Sequence, residues 1–445
     1  MNKASLAMAG WAFVLAGCAT FSEDGGFARV EEIGQARLGQ KATWQRTAAE
    51  VASAQAKASE LLARPLGAED AVQLALLNNR GLQATYAELG IAEANLVQAS
   101  RLPNPHLAYL RARAGEDYTV ESSLTFNLFA LVTVPLAREV EARRFEQTKL
   151  SVAGDMLRVA ADTRKAWIQA VAAREAVTYM EQAVLATETA AELAARMARV
   201  GNAARLEQAR EQIFHAETVA ELARVRHAEV AAREQLIRLV GLADAAVLTL
   251  PQRLPELPQA AEERSDVEGV ALRERLDLQA VRLETEALAK NLGLTRATRF
   301  IDVLEFGPAR ITETPEPRKK GYEISFELPL FDWGGAKVAK AETLYMQAVH
   351  RAADAAVKAR SEVREAYSSY RSAYGLARHY RDEIVPLRKK ISDENLLRYN
   401  GMLIGVLELI ADAREQVASV AASIDALRDF WLAEAELQQA VTAGR

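Results

Sequence analysis

The chain has 445 residues, a net charge of -5, and 50% hydrophobic but only 6% aromatic residues. The mild charge excludes the basic stripe of a nucleic-acid binder, and the single cysteine excludes an intrachain disulfide framework or a cysteine-based zinc site. Few aromatics in an Ala-, Glu-, Arg- and Leu-rich chain point to long, closely packed helices rather than a large compact globule.

The N-terminus reads Met1-Asn2-Lys3, then a mostly apolar stretch from Ala4 to Ala16, then Gly17-Cys18. A short positive region and an apolar run too short to span a bilayer make a secretory signal. The small residues before Cys18 resemble a bacterial lipobox. Residues 1–17 read as a lipoprotein signal peptide, with Cys18 as the residue to be acylated. Buried acyl chains hold a protein on a membrane at about 0.8 kcal/mol per CH2. Ala19 follows, where an Asp would favour inner-membrane retention. Residues 18–67 read as a lipidated arm lying along the body, Ala- and Gln-rich without a clear core pattern. Further on, no run of about 18 apolar residues occurs, so no spanning helix is expected.

The remaining chain is an internal repeat. Ala75–Ala84 matches Ala271–Ala280, an offset of 196 from 75 to 271, and Ala209–Gln212 recurs as Ala413–Gln416. Ala166, Ala170, Ala173, Val177, Met180, Val184, Thr187, Ala191, Ala194 and Ala198 form a heptad seam. Two hundred residues on, Ala366, Tyr370, Ala373, Ala377, Tyr380, Ile384, Leu387 and Ile391 continue one, which turns charged at Glu394 and Arg398. The halves are 68–240 and 267–445, joined by an extended linker, 241–266, that carries Pro251, Pro255 and Pro258.

Each half predicts a helix, two strands and a long helical hairpin. In the first, a helix over Ala68 to Ser100 stops before Leu102-Pro103-Asn104-Pro105. Two strands follow, the second with Leu124, Phe126 and Leu128 alternating with Ser123, Thr125 and Asn127. Helix then runs from Leu136 to Arg199 and resumes from Ala203 to Val240, broken at Gly201. The second half predicts a helix over Val267 to Ala297, a strand near Phe300 to Phe306, and a loop from Pro308 to Gly321. A strand with Tyr322, Ile324, Phe326 and Leu328 alternating with Glu323, Ser325 and Glu327 comes next. Helix covers Ala336 to Tyr399, breaks at Gly401 and continues to Ala440.

The hairpin helices of about 64 residues would each rise roughly 95 Å, the length of a tube or stalk. The period-two strands read as barrel strands, lipid face against lumen face. Four strands cannot close a barrel, and an open edge cannot exist in lipid. Several copies must therefore contribute, three giving twelve strands. Glu323 and Glu327 are candidate lumen-facing groups, or only the polar face any wet barrel needs.

In this order, Arg101-Leu102-Pro103-Asn104-Pro105, Leu328-Pro329-Leu330-Phe331-Asp332-Trp333-Gly334-Gly335 and the helix breaks Val200–Glu207 and Tyr399–Leu409 resemble the TolC-like outer-membrane efflux proteins, in their lipoprotein branch. The resemblance covers about Ala68 to Ala440. It implies a mostly α fold with a small β part: a homotrimeric 12-stranded transmembrane β-barrel joined to a long α-helical periplasmic tube. The tips at Gly201 and Gly401 would meet a periplasmic adaptor protein coupled to an inner-membrane pump, for instance of the resistance-nodulation-division type. The implied location is the outer membrane, with outer-membrane lipid around the barrel.

Tip or gate candidates are Arg205, Glu207, Tyr399, Leu403, Val406, Glu408 and Asp412. The second tip is mostly apolar where the family often has a polar network. Met402 to Leu407 therefore reads as a docking or gating patch, or as coiled-coil core. No catalytic, cofactor or metal site is expected: the five histidines lack metal spacing, and no nucleophile–base set or phosphate-binding loop occurs. The rival readings are a periplasmic coiled-coil adaptor, which would carry one hairpin, and a structural lipoprotein, which would need no alternating strands.

Overall fold

The computed structural model describes residues 20–244, 248–300 and 303–444; the expected signal peptide and Cys18 lie outside them. The elements in order are α1 (Ala28–Leu38), α2 (Ala48–Leu62), α3 (Ala68–Asn78), α4 (Arg80–Ala99), β1 (His106–Ala114), β2 (Asp117–Asn127), α5 (Ala130–Arg199) and α6 (Arg205–Val240). Then come α7 (Val267–Glu274), α8 (Leu276–Thr298), β3 (Leu304–Glu313), β4 (Lys319–Phe326), α9 (Gly335–His379), a wide turn (Tyr380–Ile384), α10 (Val385–Asn400) and α11 (Val406–Thr442). No helix among the described residues is long and apolar enough to cross a membrane.

The chain forms two compact units, one holding the sheet (through Val30, Thr85–Val152 and Leu276–Val357), the other most of the hairpins (Glu31–Ala84, Ala153–Arg275 and from Lys358 on). In the sheet unit the four strands pair antiparallel in the order β1-β2-β3-β4. The arm is tied here within a few residues of its start. Ser22 donates from both its N–H and its hydroxyl to Glu93 Oε1 at 2.6 Å. Phe27 meets the buried Tyr86 ring edge-on at 4.9 Å.

In the hairpin unit, three hydrophobic cores form among the described residues, the smallest around Val177, Met180 and Leu222. The first joins Ala54, Ala58 and Leu61 of α2 to Leu74 of α3, Trp167 and Val171 of α5, and Leu236 and Val240 of α6. The second joins Val363, Ala366 and Tyr370 of α9 to Phe430 and Leu437 of α11. Along the linker, three helices and the wide turn each bind one of its backbone carbonyls. Arg233 (α6) donates to Leu248 O, Arg174 (α5) to Leu250 O, Trp431 (α11) to Pro255 O, and Arg381 of the wide turn, following α9, to Leu257 O, at 2.9 to 3.0 Å. An extended segment has no ladder of its own, so these side chains satisfy it.

Several expected elements are corrected. The helices over Ala68 to Ser100 and Val267 to Ala297 are each two helices, bent at Asn79 (ψ 110°) and Arg275 (ψ 125°). The bends lie 196 residues apart, the offset of the sequence match. Side-chain competition replaces the lost helical bonds: Asn79 Oδ1 accepts from Leu82 N, its Nδ2 donates to Leu239 O, and Arg275 donates to Glu362 Oε2 at 2.7 Å. Helix α5 begins at Ala130 rather than Leu136, and Pro135 sits in its second turn, where only one carbonyl loses a partner.

The expected loop from Pro308 to Gly321 is mostly strand: β3 runs through Pro308 to Glu313, and β4 begins at Lys319. Proline is tolerated there because the β2–β3 ladder skips the positions opposite Gly307 and Pro308. Gly307 has no Cβ, which lets the Leu124 carbonyl approach closely. The arm, expected without a core pattern, holds two helices; Thr47 and Glu50 form a capping box on α2.

The helix over Ala336 to Tyr399 is also not continuous. At Tyr380–Ile384 the ladder widens by one residue, with Val385 N–H reaching Tyr380 O, just before Pro386. The seam rotates by one residue as a result. Ala366, Tyr370 and Ala377 are buried as expected, and Tyr380 and Ile384 half-buried. Beyond the turn Leu387 and Ile391 are exposed, and the half-buried positions become Val385, Arg388, Ser392 and Asn395. The charged end of the seam is therefore a seam read one residue out of register.

Candidate functional site: a two-faced sheet and two helical tips

Directly paired residues of an antiparallel sheet share a face, so the register sorts the strands. On one face lie Leu107 and Tyr109 of β1, Leu124 and Phe126 of β2, Leu304 and Phe306 of β3, and Tyr322, Ile324 and Phe326 of β4. Most are strongly exposed in the single chain, Leu107 at 69% and Tyr322 at 70%. On the other face lie Ser123, Thr125, Glu121, Glu305, Ser325 and Glu323, with Leu110 and Ile311 among them. Thr125 Oγ1 donates to Glu305 Oε2 at 2.9 Å. Glu323 is thus on the polar face, while Glu327 lies one residue beyond β4. Glu121 and Glu305 share that face and escaped sequence reading, because their partners are cross-strand. Strands β1 and β4 each pair on one side only among the described residues.

The hairpin tips are two five-residue breaks, between Arg199 and Arg205 and between Asn400 and Val406. At the first, Gly201 takes φ +80°, which glycine permits without steric cost. At the second the expected glycine does not: Gly401 has φ -79°, and the left-handed residue is Met402, φ +60° and 93% exposed. Leu403 is 73% exposed, Tyr399 40%, and Val406 opens α11 half-buried.

Glu207 accepts the Ala204 N–H at 3.0 Å, and Glu408 sits in the first turn of α11, so both carboxylates meet the positive end of a helix dipole. Arg205 is exposed at the start of α6. Among the described residues no hydrogen bond or ion pair joins Arg205, Glu207, Tyr399 or Glu408 to the opposite tip.

The link between hairpins lies one to two turns further in. Arg414 of α11 pairs with Glu211 of α6 at 2.7 Å, donates to Arg210 O at 3.3 Å, and stacks 4.4 Å over Phe214. Glu211 Oε2, Arg414 Nε and Asp412 Oδ2 are buried without a partner. Val177, Met180 and Leu222 pack beside Val417 next to a groove of about 580 Å3. Both charged residues stand in the repeated Ala-Arg-Glu-Gln segments, whose sequence marks duplication but not contact.

No protein-family model matches the chain, and no curated protein matches it by sequence. Solved structures do. A membrane protein from Pseudomonas aeruginosa superposes with a TM-score of 0.72 at 20% identity, over 84% of this chain and 93% of that one. The outer membrane protein VceC from Vibrio cholerae gives 0.70 at 16%, over 85% and 96%. The open state of the outer membrane channel MtrE from Neisseria gonorrhoeae gives 0.69 at 18%, over 84% and 89%. The fold is that of the outer-membrane factor channels, mostly helical with a small antiparallel sheet.

Proposed function

We propose that the chain is the outer-membrane channel subunit of a tripartite efflux system, a passive conduit for small molecules or metal ions. The observation that carries this is the four-stranded sheet with one apolar, exposed face and two unpaired edges. In water such a face aggregates, and in lipid such an edge is unsatisfied. Three copies side by side remove both costs in one twelve-stranded barrel. The 70-residue helix α5, with a rise of roughly 105 Å, suits the wall of a periplasmic tube. The likeness of fold to outer-membrane channels supports the same reading.

In this reading residues 68–240 and 267–445 are the two repeats, 241–266 the linker belt, and 18–67 an arm anchored through acylated Cys18. Glu323 and Glu327 face the lumen with Glu121 and Glu305. The tips, with Arg205, Glu207, Tyr399, Leu403, Val406, Glu408 and Asp412, meet a periplasmic adaptor served by an inner-membrane pump.

The test is to purify the full chain from outer membranes in detergent and insert it into a planar bilayer. A heat-labile trimer with stepwise conductance is expected. A water-soluble monomer without conductance would overturn the proposal. Loss of resistance on deleting the gene, screened over metals and drugs, identifies the cargo.

A further inference from the structure

The charges of the sheet are sorted by face. All five strand carboxylates, Asp117, Glu121, Glu305, Glu313 and Glu323, fall on the polar face. Four of the five basic residues, Arg111, Arg113, Arg310 and Lys320, fall on the apolar face. The exception, Lys319, is on the polar face and pairs there with Glu313 at 2.7 Å. The four basic residues gather at the hairpin end, from the row that Tyr109 shares with Arg310 and Lys320 outward. From this we infer that the apolar face ends in a binding row for the phosphate groups of lipid headgroups at the membrane surface. The inference rests on reading the sheet as barrel wall.

Arg310 and Lys320 are direct cross-strand partners, an arrangement of like charges that weakens a sheet. Neither has a carboxylate within ion-pair distance among the described residues. A phosphate set between them converts repulsion into charge-assisted hydrogen bonds, which the arginine fork is shaped to make. Arg111 lies one row further along the same face, against Val120. The height fits as well. Arg310 is six residues from Leu304, roughly 20 Å at about 3.3 Å per residue, near the edge of an apolar band about 25 Å tall. A face that was merely solvated would give no reason for the acids to avoid it.

The test uses the detergent-solubilised full chain and native mass spectrometry. The probes are bis-phosphorylated lipid A, the same lipid with its phosphates removed, and inorganic phosphate as competitor. The phosphorylated lipid should be retained at least about tenfold better than the phosphate-free one. Inorganic phosphate should not displace it. Arg310→Gln with Lys320→Gln should cut retention about tenfold, with Arg111→Gln as an independent second variant. Lys319→Gln, next door on the opposite face, should change nothing. Equal retention of the two lipids, equal retention by wild type and the double variant, or displacement by free phosphate would each overturn the inference. Membrane fractionation of the same preparations separates the two claims. Absence from the outer membrane defeats the channel reading, whereas normal insertion without phosphate preference defeats only this one.

Discussion

Arg275 is 3% exposed, and its guanidinium donates to Glu362 and lies 3.4 Å from the Ala440 carbonyl oxygen. It holds the bend between α7 and α8 against α9 and α11. Removing one partner of a buried pair strands the other and costs more than the pair contributes. Arg275→Ala should therefore destabilise by about 3 kcal/mol, read as a lower thermal midpoint of the solubilised protein. Asn79 does the equivalent work in the first half with neutral hydrogen bonds. Glu434 of α11 supplies a pH test. Burial lifts its carboxyl above the ordinary value, against the pull of Arg164 and Arg264. A raised folded value means the charged form is penalised in the native state, fully above that value and not at all below the unfolded one. Glu434→Gln should raise the thermal midpoint at pH 8, and the gain should vanish as pH falls through about 4.5. A gain that grows on acidification would contradict the assignment.

At the scale of elements, strand pairing and the wide turn decide which residues face where. Gly307 sits where any Cβ would drive into the Leu124 carbonyl oxygen, a backbone clash that no rotamer relieves. Gly307→Ala should separate β2 from β3 and abolish the heat-labile oligomer that the channel proposal expects on unboiled gels. Gly321→Ala, with open space around it, should keep the oligomer. The wide turn at Tyr380–Ile384 moves Leu387 and Ile391 out of the intramolecular seam, to 57% and 45% exposure. The linker stabilises the turn from outside, since Arg381 binds Leu257 O and also holds the Asp382 carboxyl below its ordinary value.

For the whole molecule, the exposed tip makes the sharpest demand. Met402 and Leu403 are 93% and 73% exposed, and an apolar tip of this kind is what the proposed adaptor contact requires. If the chain is the proposed channel, Leu403→Glu or Val406→Glu should impair export, read as lost resistance, while the proposed heat-labile trimer survives on gels. Unchanged resistance would remove the tip from the mechanism. The Glu211–Arg414 pair lies further in, where it ties α6 to α11 within one chain.

Much of this was legible without coordinates. The period-two alternation of β2 and β4, the seam from Ala166 to Ala198 (no member of which is exposed) and the helix breaks near Gly201 and Gly401 follow from local pattern, whereas the length of the first break, 200–204 rather than a resumption at Ala203, does not. The match of Ala75–Ala84 with Ala271–Ala280 spans both bends, yet the pattern itself reads as continuous helix there. What pattern could not reach is whatever depends on a partner far along the chain. Asn79 and Arg275 bend their helices because Leu239 and Glu362 await them. Pro308 stays in a strand because the ladder beside it is interrupted. The left-handed residue at the second tip is Met402 because loop closure, not glycine content, selects it. The sorting of acids to one face and bases to the other became visible only with the register. A one-residue slip would exchange the faces, and only tertiary pairing excludes that slip.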